Sequence, residues 1–263
     1  MSEPILIRED RGAVAELTLN NPAKLNALSD AMLAALTGTL REIGATREIR
    51  AVLIRGEGKA FCAGHDLREM TDGRQAEDGG RAYFADLFAR CSEMMRTIRT
   101  LPQPVIAEVH GIATAAGCQL VSTCDMAVAA EGTRFGVNGV NIGLFCSTPM
   151  VGLSRNIPAK QAMEMLVTGE FIEADRARAL GLVNRVVSAE RLSIEARDLA
   201  DLVASKLGVA VKIGKEAFYQ QREMGVDAAY DYVGEVMVEN MLERETEKGI
   251  AAFLAKETPV WDQ

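Results

Sequence analysis

Histidine is scarce in this chain: His65 and His110 are the only two in 263 residues. Cysteine is unpaired by pattern. The five stand at 62, 91, 118, 124 and 146, an odd number with no CxxC spacing. With so few imidazoles and no thiol pairs, no zinc site is expected, and the thiols are expected to be reduced. Aromatic residues make up only 5%. Basic charge is also short, with 29 Lys and Arg against 37 Asp and Glu, a net charge of −8. A nucleic-acid partner needs a basic face to neutralise phosphates, so it is excluded as the main ligand. No uninterrupted apolar run reaches the ~18 residues of a membrane span. The segment Met1-Ser2-Glu3-Pro4 has neither a basic nor an apolar stretch, so a secretory signal is not expected. A cytoplasmic setting is the resulting expectation.

What is present is an aliphatic interior. Apolar residues reach 48%, carried by Ala, Val, Leu, Ile and Met. The length suits one large α/β or spiral domain, or one domain with a tail. Residues 5–8 and 14–19 read as two strands joined at Asp10-Arg11-Gly12. A helix starts at the N-cap Ser29 and carries Met32, Leu33, Leu36, Leu40 and Ile43 on one face. Strand 51–54 follows. Thr71 to Gly80 is polar and Gly-rich and reads as a mobile, lid-like loop. A helix spans 81–100, a strand 105–109, and another strand 125–130. From Lys160 the chain is mostly helical, over 159–168, 173–180, 188–206, 208–222 and about 226–254. The composition places a core over 1–199 and a helical region over 200–263.

Two stretches share one plan. Strand 51–54 leads into Lys59-Ala60-Phe61-Cys62-Ala63-Gly64-His65-Asp66, which turns at Gly64 and becomes helical. Strand 105–109 leads into His110-Gly111-Ile112-Ala113-Thr114-Ala115-Ala116-Gly117-Cys118, which does the same. The two units lie roughly 50 residues apart, a repeat too loose to name a solenoid. A strand that opens a helix through tiny side chains leaves main-chain N–H groups without partners and lets a ligand approach them. One N–H from each junction can converge on a single oxygen. The plainer reading is that small residues merely let a helix pack on a strand.

Residues 60–70, Pro104-Val105-Ile106-Ala107-Glu108-Val109-His110-Gly111, Ala116-Gly117-Cys118, Thr168-Gly169-Glu170 and Ala179-Leu180-Gly181-Leu182-Val183-Asn184 together resemble the crotonase (enoyl-CoA hydratase/isomerase) family, in order, over roughly residues 5–262. The resemblance implies an α/β fold, a crotonase-like spiral of ββα repeats with a C-terminal helical region used for trimerisation. It implies trimers or dimers of trimers and an acyl-CoA ligand, with no cofactor beyond the coenzyme A of the substrate. It assigns the oxyanion donors to the N–H groups of His65 and Ala116. Lys24 and Leu25 would line the coenzyme A entrance, Ala63, Asp66 and Leu67 would meet its adenine and pantetheine parts, and Arg68 would lie near its phosphates or stand as a solvated charge. Trp261 would reach a coenzyme A, often that of a neighbouring subunit, although the Lys that often follows is replaced by Asp262. His65, if its imidazole stands at the pocket mouth, would titrate near neutrality, or it simply fills an Ala-like position. His110 reads as structural.

The chain departs from the family where protons move. The hydratases it resembles use two glutamates. Their positions hold Gln119 and Gly139 here. An amide does not exchange a proton near neutral pH and glycine has no side chain, while each acid–base group typically supplies ~10²–10⁴-fold. Residues 143–149 also depart from the family's Pro-Gly turn; the resemblance would place Cys146 and Ser147 near the acyl group, where, with no evident base beside either, a packing or hydrogen-bonding role is expected ahead of a nucleophile or proton relay. Three functions follow as expectations: a hydratase or isomerase with an altered acid–base set, an acyl-CoA-binding or regulatory protein with little catalysis, and an acyl-CoA thioesterase.

Overall fold

The computed structural model describes residues 3–261. Its strands are β1 (Leu6–Arg11), β2 (Val14–Leu19), β3 (Ala51–Gly56), β4 (Val105–Val109), β5 (Ile112–Thr114), β6 (Met126–Ala130), β7 (Arg134–Gly136), β8 (Ile172–Glu173) and β9 (Arg185–Val187). Its helices are α1 (Asp30–Gly44), α2 (Leu67–Gly73), α3 (Arg81–Thr100), α4 (Ala116–Thr123), α5 (Pro149–Asn156), α6 (Ala159–Thr168), α7 (Ala174–Leu180), α8 (Leu192–Ala204), α9 (Gly208–Gln221), α10 (Val226–Leu242) and α11 (Arg244–Ala255).

Six strands form one sheet in the order β1-β2-β3-β4-β6-β9, parallel throughout except for the β1–β2 hairpin. The order β5-β7-β8 makes a second, small sheet. Cys62 adds a parallel bridge to Ala113, extending that small sheet by one segment. Each turn of the spiral therefore runs from the large sheet to the small one and into a helix: β3, Cys62 and α2; β4, β5 and α4; β6, β7 and the helices that follow. The start of the turn moves from Ala51 to Val105 and then only to Met126, because the long α3 is inserted in the first turn alone. This uneven insertion explains why the repeat looks loose in sequence.

The large sheet is buried on both faces, as parallel sheets are. Ala15, Leu17, Val52, Ile54, Val105 and Ala107 join the main core with α1 and α3, while Val14, Ala51, Leu53, Ile106 and Val128 face Leu192, Ala196, Leu199 and Ala200 of α8. The division expected at 199/200 thus falls inside a helix that packs on the sheet. The change to exposed helices comes after it, near Ser205. The single helix expected over 226–254 is two, because Glu243 adopts an extended backbone (ψ 128°) between α10 and α11. Neither α10 nor α11 buries a residue. The 71–80 segment is tethered instead of loose. Its start belongs to α2, and the Asp78 carboxylate accepts from Gly80 N and Ala82 N at 2.9 and 2.8 Å, fixing the start of α3. No helix among the described residues is long and apolar enough to cross a membrane.

Candidate active site

The first junction is built on a strained loop. Leu25 and Asn26 are both left-handed, at φ 52° and 53°, a region costly for side chains with a Cβ. Asn26 holds them there. It is fully buried, its Oδ1 accepts from Asn21 N, and its Nδ2 donates to the carbonyls of Glu57 and Ala60. The loop then runs beside the junction, with Ala63 N donating to Leu25 O at 3.0 Å and Leu28 N to Gly64 O at 2.7 Å. The second junction turns at Ala115, at φ 49° and ψ −119°, whose N–H donates to Gly136 O. Thr114 Oγ1 donates to Asn138 Oδ1 at 2.5 Å and ties this turn to the segment that carries Gly139.

The two junctions touch. A Cβ on Gly64 would meet Ala115 Cβ at 2.9 Å and Ala116 N at 3.2 Å. Gly64 also needs its φ of 91°, which glycine alone adopts freely. Two main-chain donors are left over where the chains meet. Among the described residues, neither His65 N–H nor Ala116 N–H has an acceptor. Ala116 is the first residue of α4, so its N–H also carries the positive end of that helix. An oxygen held between such donors is stabilised as charge develops on it, by ~3–4 kcal/mol per donor in known oxyanion holes.

Around this pair, Lys24 Nζ and Asp66 Oδ2 stand 2.7 Å apart. Asp66 is buried and also caps α2 by accepting from Arg68 N at 2.9 Å. The Lys24 hydrogen bond holds the Asp66 carboxyl below the usual carboxylate range, and the same bond raises the Lys24 amine. Leu67 and Arg68 are exposed on α2. Lys24, Leu25, Ala63, Asp66, Leu67 and Arg68 thus gather on one rim beside the amides. Trp261 stands apart from this chain's own rim. Its indole lies against Gly249 of α11 and donates from Nε1 to Ser205 O at 3.3 Å. Asp262 lies outside the described residues.

One expectation, a His65 imidazole at the pocket mouth, needs correction. The His65 imidazole is not an exposed group at the pocket mouth. It packs edge-on against Phe88 with ring centroids 5.7 Å apart, Nδ1 faces Leu28 O at 3.4 Å, and Nε2 is buried without a partner. Burial pulls its pKa below the ordinary histidine value, so it is neutral at pH 7. Cys146, by contrast, is placed as the packing reading expects: it is buried, and burial pushes its thiol up, away from a thiolate. Ser147 is exposed, and among the described residues its hydroxyl meets only Phe145 O, at 3.5 Å.

The positions of the two expected carboxylates differ from each other. Gln119 is buried one helical turn after Ala116, and its Oε1 has no hydrogen-bond partner among the described residues. Gly139 is not merely missing a side chain. A Cβ there would lie 2.2 Å from Leu144 O and 2.9 Å from Cys146 Sγ. The 143–147 segment has closed over the place a side chain would leave. His110 is structural as expected, with Nε2 2.7 Å from Gly58 O.

Residues 9–263 match the family described as enoyl-CoA hydratase/isomerase. The chain belongs to the enoyl-CoA hydratase/isomerase family. As a member of that family it is 42% identical over 261 residues to mouse enoyl-CoA hydratase domain-containing protein 3, mitochondrial, covering 99% of this chain and 85% of that one. It is 33% identical over 256 residues to the short-chain-enoyl-CoA hydratase of Clostridium acetobutylicum, covering 95% of each. An enoyl-CoA hydratase crystal structure from Mycobacterium smegmatis superposes with a TM-score of 0.95 at 50% identity, over 99% of this chain and 100% of that one. Human enoyl coenzyme A hydratase domain-containing protein 3 superposes at 0.93 and 42% identity, over 98% and 100%. The crotonase spiral expected from the resemblance is therefore the fold of this family member.

Sequence reasoning missed Asn26, which fixes the rim, and Lys215, which is buried against Asp125 Oδ2 at 2.7 Å. For Asn26 the one faint signal is that asparagine takes up a left-handed backbone more readily than most residues. Nothing distinguished Lys215 from a surface lysine of an amphipathic helix.

Proposed function

We propose that this chain binds an acyl-CoA thioester and polarises its carbonyl between the N–H groups of His65 and Ala116. The observation that carries this reading is the pair of adjacent main-chain donors, both without acceptors, at the meeting point of two strand–helix junctions. Lys24 and Arg68 on the rim offer positive charge to the phosphates of coenzyme A. No cofactor beyond that coenzyme A is needed. The reaction class is that of the enoyl-CoA hydratase/isomerase lyases, in which negative charge gathers on the thioester oxygen.

Within that class, the two-carboxylate route to hydration is closed to this chain. Gln119 does not titrate, and the space at Gly139 is filled. Catalysis must draw its proton transfers from elsewhere, or the protein acts chiefly as an acyl-CoA-binding or regulatory protein. The buried Cys146, its thiol pushed up by burial, is an unsuitable nucleophile, which weighs against a thioesterase. The exposed Tyr230, Met237, Leu242, Phe253 and Leu254 of α10 and α11 support self-association as a trimer or a dimer of trimers. The reduced, buried cysteines suit a reducing, cytoplasmic setting, whereas the mouse relative carries a mitochondrial name.

The test is spectroscopic. The absorption band of a conjugated probe, cinnamoyl-CoA, moves to longer wavelength when its carbonyl is polarised. It is expected to shift on binding the wild-type protein, and to lose that shift in Ala116→Pro, which removes one N–H at a helix position that tolerates proline. A bound probe with an unshifted band overturns the reading.

A further inference from the structure

One cavity of about 650 Å³ opens between α3, α4, α5 and α9. Gln119, one turn along α4 from Ala116, is among its lining residues. Residues three apart on a helix share a face. The buried Met95 and the exposed Val151 give the cavity apolar lining. Its mouth is cationic: Arg96, Arg99, Arg155 and Arg222 all stand on its wall. In a chain with a net charge of −8, four guanidinium groups around one cavity are a local reversal of sign.

Acids offset only part of that charge. Arg96 lies 3.5 Å from Glu93 on its own helix. Asp125 is already taken by Lys215 Nζ at 2.7 Å, Tyr219 OH at 2.8 Å and Val105 N at 2.7 Å. Glu223 reaches Arg99 at 3.3 Å and Arg155 at 3.9 Å. Arg222 forms no ion pair with any described carboxylate. It is nevertheless held in place, donating to Arg155 O at 2.7 Å and lying over the Phe218 ring at 5.5 Å. Arg99 is similarly oriented, over Tyr219 at 5.1 Å and donating to Tyr219 O at 3.2 Å. Guanidinium groups fixed by ring stacking keep their remaining N–H donors aimed and lose little freedom on binding an anion. Gln119 adds a polar group on the inner wall: Oε1 is buried without a partner, and Nε2 donates to no described group.

We infer that this cavity receives the anionic distal end of the acyl chain, so that the preferred ligand is a CoA thioester whose acyl group ends in a carboxylate. The inference rests on the acyl-CoA reading above. The thioester oxygen sits on the two amides, the methylene chain passes Gln119 over Met95 and Val151, and the terminal carboxylate reaches the arginines. Because Arg96, Arg155 and Arg222 are exposed, the carboxylate keeps part of its hydration there. It gains charge-assisted hydrogen bonds without the full cost of desolvation.

Isothermal titration of the full chain tests this with two matched series: butyryl-, pentanoyl- and hexanoyl-CoA, and succinyl-, glutaryl- and adipyl-CoA. At one chain length or more the diacid derivative is expected to bind about tenfold tighter than its neutral partner, the yield of one charge-assisted hydrogen bond. The Arg155→Gln, Arg222→Gln double variant is expected to lose that advantage while binding the neutral series as the wild type does. The inference is overturned if no diacid binds more tightly than its partner, or if the advantage survives the double variant. Free glutarate is the second arm. Binding of free glutarate that depends on Arg155 and Arg222, with no diacid advantage among the thioesters, makes the cavity a site for a free anion and overturns the acyl assignment. Failure of every thioester to bind overturns the acyl-CoA reading itself, and this inference with it.

Discussion

A Cβ added to Gly117 would stand 2.2 Å from the carbonyl oxygen of Cys62. The second residue of α4 is thus pressed directly against the segment that bridges β3 to the first junction. The same Cys62 carbonyl accepts from Thr114 N at 3.0 Å. Both amides of the proposed oxyanion site depend on this contact, because it sets the distance between the junctions.

Gly117→Ala is therefore expected to damage site and fold together. The clash is with backbone, which cannot swing away as a flexible side chain can. Overpacking of this kind costs about 1–3 kcal/mol, which for a chain of this size lowers the melting temperature by roughly 2–4 °C per kcal/mol. Urea unfolding measures the loss, and cinnamoyl-CoA titration measures the damage to the site. A variant as stable as the wild type, with an unchanged spectral shift, would show that the contact is not what spaces the amides.

The two positions that lack carboxylates should respond oppositely to their return. Gly139→Glu places atoms where Leu144 O and Cys146 Sγ already are. It is expected to destabilise the chain by about 1–3 kcal/mol and to add no activity. Gln119→Glu keeps the shape of a buried side chain that already lacks a partner at Oε1. Burial raises the pKa of such a carboxyl, which suits a general acid. It is expected to fold normally and to raise crotonyl-CoA hydration by about 10², the low end for one acid–base group. A steady-state hydration assay on both variants decides, and rapid hydration by the wild type would refute the claim that the route is closed.

Much of this was legible in the sequence, for an identifiable reason. The two junctions announce themselves because their geometry demands tiny residues: Gly64 for its φ and Gly117 for its contact with Cys62. A local backbone requirement leaves a local mark. The packing of side chains from distant segments does not. Asn26 and Lys215 look like ordinary polar residues, yet they are buried because Glu57, Ala60, Ile98, Gln103 and Asp125 come to them from elsewhere in the chain. The closing of residues 144–146 over Gly139 was equally invisible, since glycine there reads as a deletion of chemistry and not as a filled space. The break at Glu243 escaped because glutamate favours helices, and only the turn between α10 and α11 opposes it.

Lys215 anchors α9 to the core. Its ammonium donates to Ile98 O, Gln103 O and Asp125 Oδ2, while Tyr219 OH donates to Asp125 Oδ1. Lys215→Met leaves the Asp125 carboxylate without its cation and is expected to cost about 3–5 kcal/mol, as breaking a buried pair does. Adding Asp125→Asn should restore part of that loss, so the double variant is less damaged than the sum of the single ones. Urea unfolding of the four proteins measures the coupling, and additive losses would mean that the pair does not act as a unit.

His65 gives the fold a pH dependence with a definite sign. Burial lowers its pKa in the folded state, with the Leu28 carbonyl and Asp30 opposing that shift only in part. The unfolded chain therefore binds a proton more readily than the folded one. Stability from this group is complete above the unfolded value of 6.5 and is lost as pH falls from there through the folded pKa. The window is distinct from that of Asp66, whose lowered pKa makes its contribution vanish only as pH falls below 3.8. His65→Phe keeps an aromatic group against Phe88 and removes the titration. Its urea midpoint is expected to change less than that of the wild type between pH 7.5 and 5, with the two curves converging in slope above pH 7. Parallel curves across the whole range would show that the His65 imidazole is as easily protonated in the fold as in water.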